Sequence, residues 1–310
     1  MAKAVTWYLK VAERGDSGMK KMMLSPLLAV LLVTSFLPET AKAEVTLGDV
    51  SRAEQGDAQA QFKLGLMHYN GEGWPQDFKQ AFFWFSKAAE QGNAEAQYNL
   101  GIMYDNGEGV PEDNVQAVAW YRQAAEQGQI AAQFKLGMMY YTGQGVAQNY
   151  AQAVAWFHKA AEQGHAVAQT VLGAMYEYGE GVVKDDKQAV AWYRQAAEQG
   201  QPGAQSNLGV MYAKGWGVVQ DVKQAVAWMR KAAEQGESDA QFNLGLMYVK
   251  GQGVPQDYQL AYVWYSVAAA NGYKNAVERR DAAAKNLTQA DLSTAQQLAT
   301  SYFDQYRPKP

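Results

Sequence analysis

Apolar positions recur along most of this chain at helical spacing, and the helical stretches themselves recur every 36 residues. Residues 93–128, NAEAQYNLGIMYDNGEGVPEDNVQAVAWYRQAAEQG, show the pattern. Ala96, Leu100, Met103 and Tyr104 fall on one face of a helix, termed helix A. Gly101 lies inside that helix, where glycine costs about 1 kcal/mol relative to alanine, so a close helix–helix approach is expected there. Gly107 and Gly109 are expected to end helix A and to supply positive φ in the connection. Asp113 is the expected N-cap of a second helix, B. Ala117, Trp120, Ala124 and Ala125 form its apolar face, and Gly128 ends it.

The same register returns without insertion. Unit-ending glycines stand at 56, 92, 128, 164, 200, 236 and 272, and tryptophans at 84, 120, 156, 192, 228 and 264. Leu-Gly pairs and Gly-x-Gly loops recur with them, giving six units from Asp57 to Gly272. Two short antiparallel helices cannot bury a core alone, whereas stacked pairs can. The expected fold is therefore all-α: a right-handed α/α solenoid of six 36-residue helix-turn-helix repeats with N- and C-terminal capping helices. The tryptophans and the methionines at 67, 103, 139, 175, 211 and 247 are expected in its core. Residues 44–56 read as the N-terminal cap, with a short helix over Val45–Gln55. Residues 273–310 read as C-terminal capping helices and tail. There Thr288 and Asp291 make a capping box, and Leu292, Ala295, Leu298 or Ala299, and Tyr302 cover the last unit.

The pattern A-Q-x-x-L-G-x-x-Y-x-x-G-x-G-V followed by D-x-x-x-A-x-x-W-x-x-x-A-A-x-x-G resembles the Sel-one-like repeat family, relatives of the tetratricopeptide repeat. The resemblance covers 57–272, with departures at His68, Trp74 and Asn149. It implies adaptor work, such as scaffolding of complexes, envelope signalling or contact with host factors. Some secreted relatives are named β-lactamases or penicillin-binding proteins, and those typically carry a cysteine pair in each unit. This chain has no cysteine.

The N-terminus departs from the repeat. Lys20 and Lys21 precede an uncharged apolar run over 22–37, and Ala41-Lys42-Ala43 follows with small residues at the cleavage positions. Residues 19–43 thus read as a signal peptide, cut between Ala43 and Glu44, which places the protein in the periplasm or the medium. Residues 1–18 resemble the end of a repeat, since AVTWYLKVAERGDS from Ala4 parallels AVAWYRQAAEQGQ at 117–129. They read as a non-native or read-through extension, with translation starting at Met19. Residues 1–43 hold six Lys/Arg and three Asp/Glu, so the remainder keeps 21 and 28, a net charge near −7. That balance argues against nucleic acid and anionic lipid as partners.

Candidate chemistry is sparse. His68, His158 and His165 lie in different units without metal-ligand spacing, so neither a metal nor any other cofactor is expected. The glycines are not in a strand–loop–helix context and no Gly-Lys-Thr/Ser follows them. Glu90, Glu126, Glu162, Glu198 and Glu234 form a column that reads as a solvated helix end. No nucleophile–base pair stands out, and the chain reads as a non-enzyme. What varies between units lies on helix A, away from its core positions. The candidate binding residues are Phe62, Lys63, Tyr69, Tyr98, Asn99, Phe134, Lys135, Tyr141, Asn207, Phe242 and Asn243, with Asn70, Asp105, Lys214 and Lys250 beside them. Aromatics mixed with Asn and Lys suit the grip of a peptide or protein on the solenoid's inner surface. The functional expectation is an exported protein-interaction scaffold. The competing reading is a hydrolase or binding protein for cell-wall or β-lactam amides.

Overall fold

The computed structural model describes residues 47–306. The expected signal peptide at 19–43, the expected extension at 1–18, the first residues of the expected N-terminal cap and the last four of the tail lie outside them. Fifteen α-helices and no strand make up the described residues. Two compact units divide the chain after His165.

The first unit holds α1 (Leu47–Glu54) and three helix pairs: α2 (Ala58–Asn70) with α3 (Phe78–Glu90), α4 (Ala94–Asn106) with α5 (Asn114–Glu126), and α6 (Ile130–Thr142) with α7 (Tyr150–Glu162). The second holds α8 (Ala166–Tyr178) with α9 (Asp186–Glu198), α10 (Pro202–Lys214) with α11 (Val222–Glu234), and α12 (Ser238–Lys250) with α13 (Tyr258–Ala270). It closes with α14 (Ala276–Ala284) and α15 (Gln289–Tyr306). Within each unit the paired helices pack chiefly on their neighbours in sequence and stack as a solenoid, while the last helix, α15, folds back onto α13.

Local chemistry sets the ends of the helices. The Asp113 carboxylate accepts from the Val115 and Gln116 N–H groups, and Asp77, Asp185 and Asp221 repeat that cap. Helix A ends in a left-handed glycine, such as Gly107 at φ 70°. The second loop glycine has a separate reason to be small: a Cβ on Gly109 would meet the Phe78 carbonyl at the start of the preceding helix B. At the C-terminal end, Thr288 Oγ1 accepts from the Asp291 N–H at 3.2 Å and donates to its carboxylate at 2.7 Å, the expected capping box.

The core differs from expectation in one respect. In the helix B column Trp264 is 3% exposed, but Trp84, Trp120, Trp156, Trp192 and Trp228 are only half-buried. The fully buried ring is the next residue along helix B: Phe85, Tyr121 and Phe157 in the first unit, Tyr193 and Tyr265 in the second. Met229 occupies the equivalent place in α11. Geometry explains the shift. The mid-helix glycine of helix A lets this ring lie on the backbone, so that a Cβ on Gly101 would collide with the Tyr121 ring. The indole one position earlier is rotated away by about 100° and only shields the edge. The methionine column is buried throughout, and the glutamates at helix B ends are all exposed. Below the last pair, Ala295 and Ala299 are buried and Tyr302 lies edge-on to Trp264 at 5.3 Å.

Candidate protein-binding surface

Helix A carries two kinds of position. The repeated ones face helix B. The glutamine that follows the first alanine is repeated too, yet it is polar and buried. Gln97 donates to the Ala89 carbonyl at 3.2 Å and accepts from Gln127 at 2.6 Å; Gln205 likewise donates to Ala197 at 3.1 Å and accepts from Gln235 at 2.8 Å. Gln97 and Gln205 thus each fix helix A to the end of the preceding helix B and to the end of its own. A buried amide with both ends paired is stable where an unpaired one costs about 1–3 kcal/mol. Sequence reasoning gave this column no role. Its signal was a polar residue unchanged through six copies on an otherwise apolar face. A second link uses Arg122, Arg194 and Arg230, whose guanidinium groups donate to the hydroxyls of Tyr140, Tyr212 and Tyr248 at 2.7, 3.0 and 2.8 Å.

The candidate residues divide by burial. Phe62, Tyr69, Tyr98 and Tyr141 are 9%, 4%, 5% and 2% exposed. Phe62 packs on Phe85 and Tyr98 on Tyr121, each at 5.8 Å. Tyr69 lies edge-on to Phe78 at 5.2 Å and donates its hydroxyl to Glu108 at 2.6 Å; Tyr141 packs on Tyr150 at 5.0 Å. Helix A turns these four rings toward its own helix B and away from solvent. Phe134 and Phe242 are half-buried, each stacked on a ring from the connection that follows helix B: His165 at 4.8 Å and Tyr273 at 4.3 Å. Of the polar candidates, Lys63 pairs with Asp49 at 2.7 Å and Lys135 with Asp105 at 3.3 Å. Asn99 donates to the Glu95 carbonyl at 2.8 Å, Asn207 bonds the Tyr193 hydroxyl, and Asn243 is half-buried.

Half-exposed or exposed on helix A stand Leu66, Asn70, Asn106, Met138 and Thr142 in the first unit and Ala174, Tyr178, Val210 and Lys214 in the second. Carboxyls on this face are partly withdrawn from water. Burial raises Glu108 and Glu177 above the ordinary carboxylate range, while the Tyr69 and Tyr193 hydroxyls oppose the shift. Among the described residues, no group of three His, Asp or Glu is placed to hold a metal ion, and no helix is long and apolar enough to cross a membrane.

Stacked helix pairs with repeated core columns and a variable helix A face define an α-solenoid of the protein-interaction class. The Sel1 repeat model matches residues 58–93, 94–129, 130–165, 166–201, 202–237 and 238–273, and also 1–16. The chain belongs to the Sel1 repeat family. A Sel1 repeat protein from Oxalobacter formigenes is 34% identical over 77% of this chain and 96% of that one, with a TM-score of 0.66. A protective antigen present in uropathogenic Escherichia coli strains and displaying an SLR fold is 33% identical over 83% of this chain and 70% of that one, with a TM-score of 0.40. An immunity protein from Pseudomonas aeruginosa is 22% identical over 79% of this chain and 90% of that one, also with a TM-score of 0.40. No curated protein matches the chain. Sel1-repeat solenoids typically serve as protein-interaction scaffolds.

Proposed function

We propose that this chain is an exported, non-enzymatic scaffold that binds another protein or peptide on the helix A faces of its repeats. One observation carries the reading. Across six copies the Ala60, Gln61, Leu64, Gly65 and Met67 positions of helix A do not change, while the register of Asn70, which is half-exposed or exposed in every copy, takes four different residues. That register reads Asn70, Asn106, Thr142, Tyr178, Lys214 and Lys250; a second reads Leu66, Met138, Ala174, Val210 and Leu246, with the buried Ile102 in the remaining copy. A frame held constant beneath a diversified face is what a binding surface needs, because a rigid scaffold limits the ordering cost on association.

Capture tests the binding. The tagged chain is expressed in its own cell, crosslinked and purified, and the attached proteins are identified by mass spectrometry. A control carries Asn70→Ala, Met138→Ala, Tyr178→Ala and Lys214→Ala, changes that leave the buried rings intact. The reading expects a partner that the control loses while its thermal unfolding is unchanged. Equal capture by both would contradict it. Export rests on the signal-like segment at 19–43, and N-terminal sequencing of protein from the envelope fraction is expected to begin at Glu44. An intact signal on cytoplasmic protein would overturn that part.

A further inference from the structure

The six repeats serve as references for one another. In two of them the buried ring of helix B is a tyrosine whose hydroxyl faces a carboxylate on helix A: Tyr121 with Asp105 at 3.3 Å, and Tyr193 with Glu177 at 2.7 Å. The next repeat completes the first of these sites with a cation, as Lys135 Nζ lies 3.3 Å from the same Asp105 oxygen. The residue that corresponds to Lys135 beside Glu177 is Asn207. Its amide bonds the Tyr193 hydroxyl and brings no charge.

Glu177 therefore has hydrogen bonds from Tyr193 and Tyr178 but no ammonium in the place that Lys135 fills. Lys184 is near enough to act on it through space, yet its ammonium is engaged by Asp186 at 3.3 Å. The Glu177 side chain is half-buried, and Tyr178, 51% exposed, stands beside it. A partly desolvated carboxylate next to an exposed ring suits a cation on an apolar stem, which pairs with the acid and lays its methylenes on the ring.

We propose that Glu177, with Tyr178 and Asn207 around it, receives a lysine or arginine side chain of a bound polypeptide, which occupies the position that Lys135 takes at Asp105. This assignment rests on the scaffold reading and narrows it to a partner with an exposed basic residue.

The test offers a displayed random-peptide library to the 310-residue chain and to its E177Q and N207K variants. Wild type is expected to select peptides in which one Lys or Arg matters. Replacing that residue by norleucine should weaken binding at least about tenfold. Both variants should lose this dependence, E177Q by removing the negative charge and N207K by pairing it from within. Selected peptides that bind wild type and both variants alike would overturn the proposal while leaving the scaffold reading intact. An empty selection would count against the scaffold itself. The receptor has a readout that needs no peptide: N207K should raise the midpoint of thermal unfolding, and should not do so in an E177Q background. An unchanged midpoint in N207K would mean that Glu177 has no cation site to fill.

Discussion

The two halves of this molecule share a frame and differ in what they lay upon it. Residues 47–165 carry seven Lys/Arg against 13 Asp/Glu, and residues 166–306 carry 12 against 14. In the first half the helix A carboxylate Asp105 is matched by Lys135; in the second, Glu177 meets Asn207. The loops differ as well. Repeats in the first half place Glu72, Glu108 and Gln144 between the paired glycines. The second half keeps Glu180 and Gln252 in two of its loops and places Trp216 in the third, 41% exposed with Lys214 Nζ 3.9 Å from its ring, and it exposes Val183 and Val219 at 88% and 86%. Yet the capping aspartates, the left-handed glycines and the glutamine links are alike in both. The packing that makes a repeat is kept in every copy, although one buried register of helix A, Phe62, Tyr98, Thr170 and Ser206, changes along with the surface.

The largest effect expected from breaking this frame lies at the buried ring. Phe157→Ala should cost about 3–5 kcal/mol, while the half-buried neighbour Trp156→Ala should cost markedly less. Urea unfolding of the two variants compares them directly, and equal losses would return the tryptophan to the core.

Next comes the glycine beneath that ring, where one repeat of the second half should differ from the rest. A methyl at Gly101 meets the rigid Tyr121 ring, so Gly101→Ala should cost about 1–3 kcal/mol. At Gly209 it meets Met229 Cγ at 2.7 Å and the Ala225 carbonyl oxygen at 3.2 Å, an unbranched side chain in place of a rigid ring but with backbone close behind it. Gly209→Ala should therefore cost less than Gly101→Ala by thermal unfolding, and an equal loss would mean that the ring's rigidity does not matter.

A pH-dependent effect is expected in the second half at Glu237. Burial pushes the Glu237 carboxyl up to about 7, with Asp239 adding to the shift. A carboxyl raised on folding binds its proton more tightly in the folded state. Its cost is absent below about pH 4, grows between the ordinary glutamate value and about 7, and is complete above that. Glu237→Gln should therefore raise the unfolding midpoint at pH 8 and leave it unchanged at pH 4. A shift of equal size at both pH values would contradict burial of the charge as the cause. The smallest effect is expected at Trp216→Ser, within about 0.5 kcal/mol, because the exposed indole belongs to the surface and not to the frame.

Much of the frame was legible in the sequence because 36-residue recurrence makes each copy a check on the others. Helix bounds, the Asp113 cap and the positive-φ glycines followed from residue types whose backbone chemistry is narrow. The ring beside Gly101 did not follow. Trp120 and Tyr121 are adjacent and both apolar enough for a core, and only the glycine's close approach decides between them. The candidate surface was the least legible. Phe62 and Tyr98 vary between copies as surface residues do, yet both are buried against helix B. Asn207 gained its meaning only when the structure set it beside Tyr193 in the place that corresponds to Lys135.

The central claim is that helix A, and not helix B, meets the partner. Photo-crosslinking in the producing cell tests it most directly, with a photoreactive residue placed at Met138 or Tyr178 on helix A, and at the exposed Ala119 or Ala191 on helix B. The account predicts a discrete protein adduct from the helix A positions and none from helix B. Adducts from helix B alone, or equally from both, would contradict it.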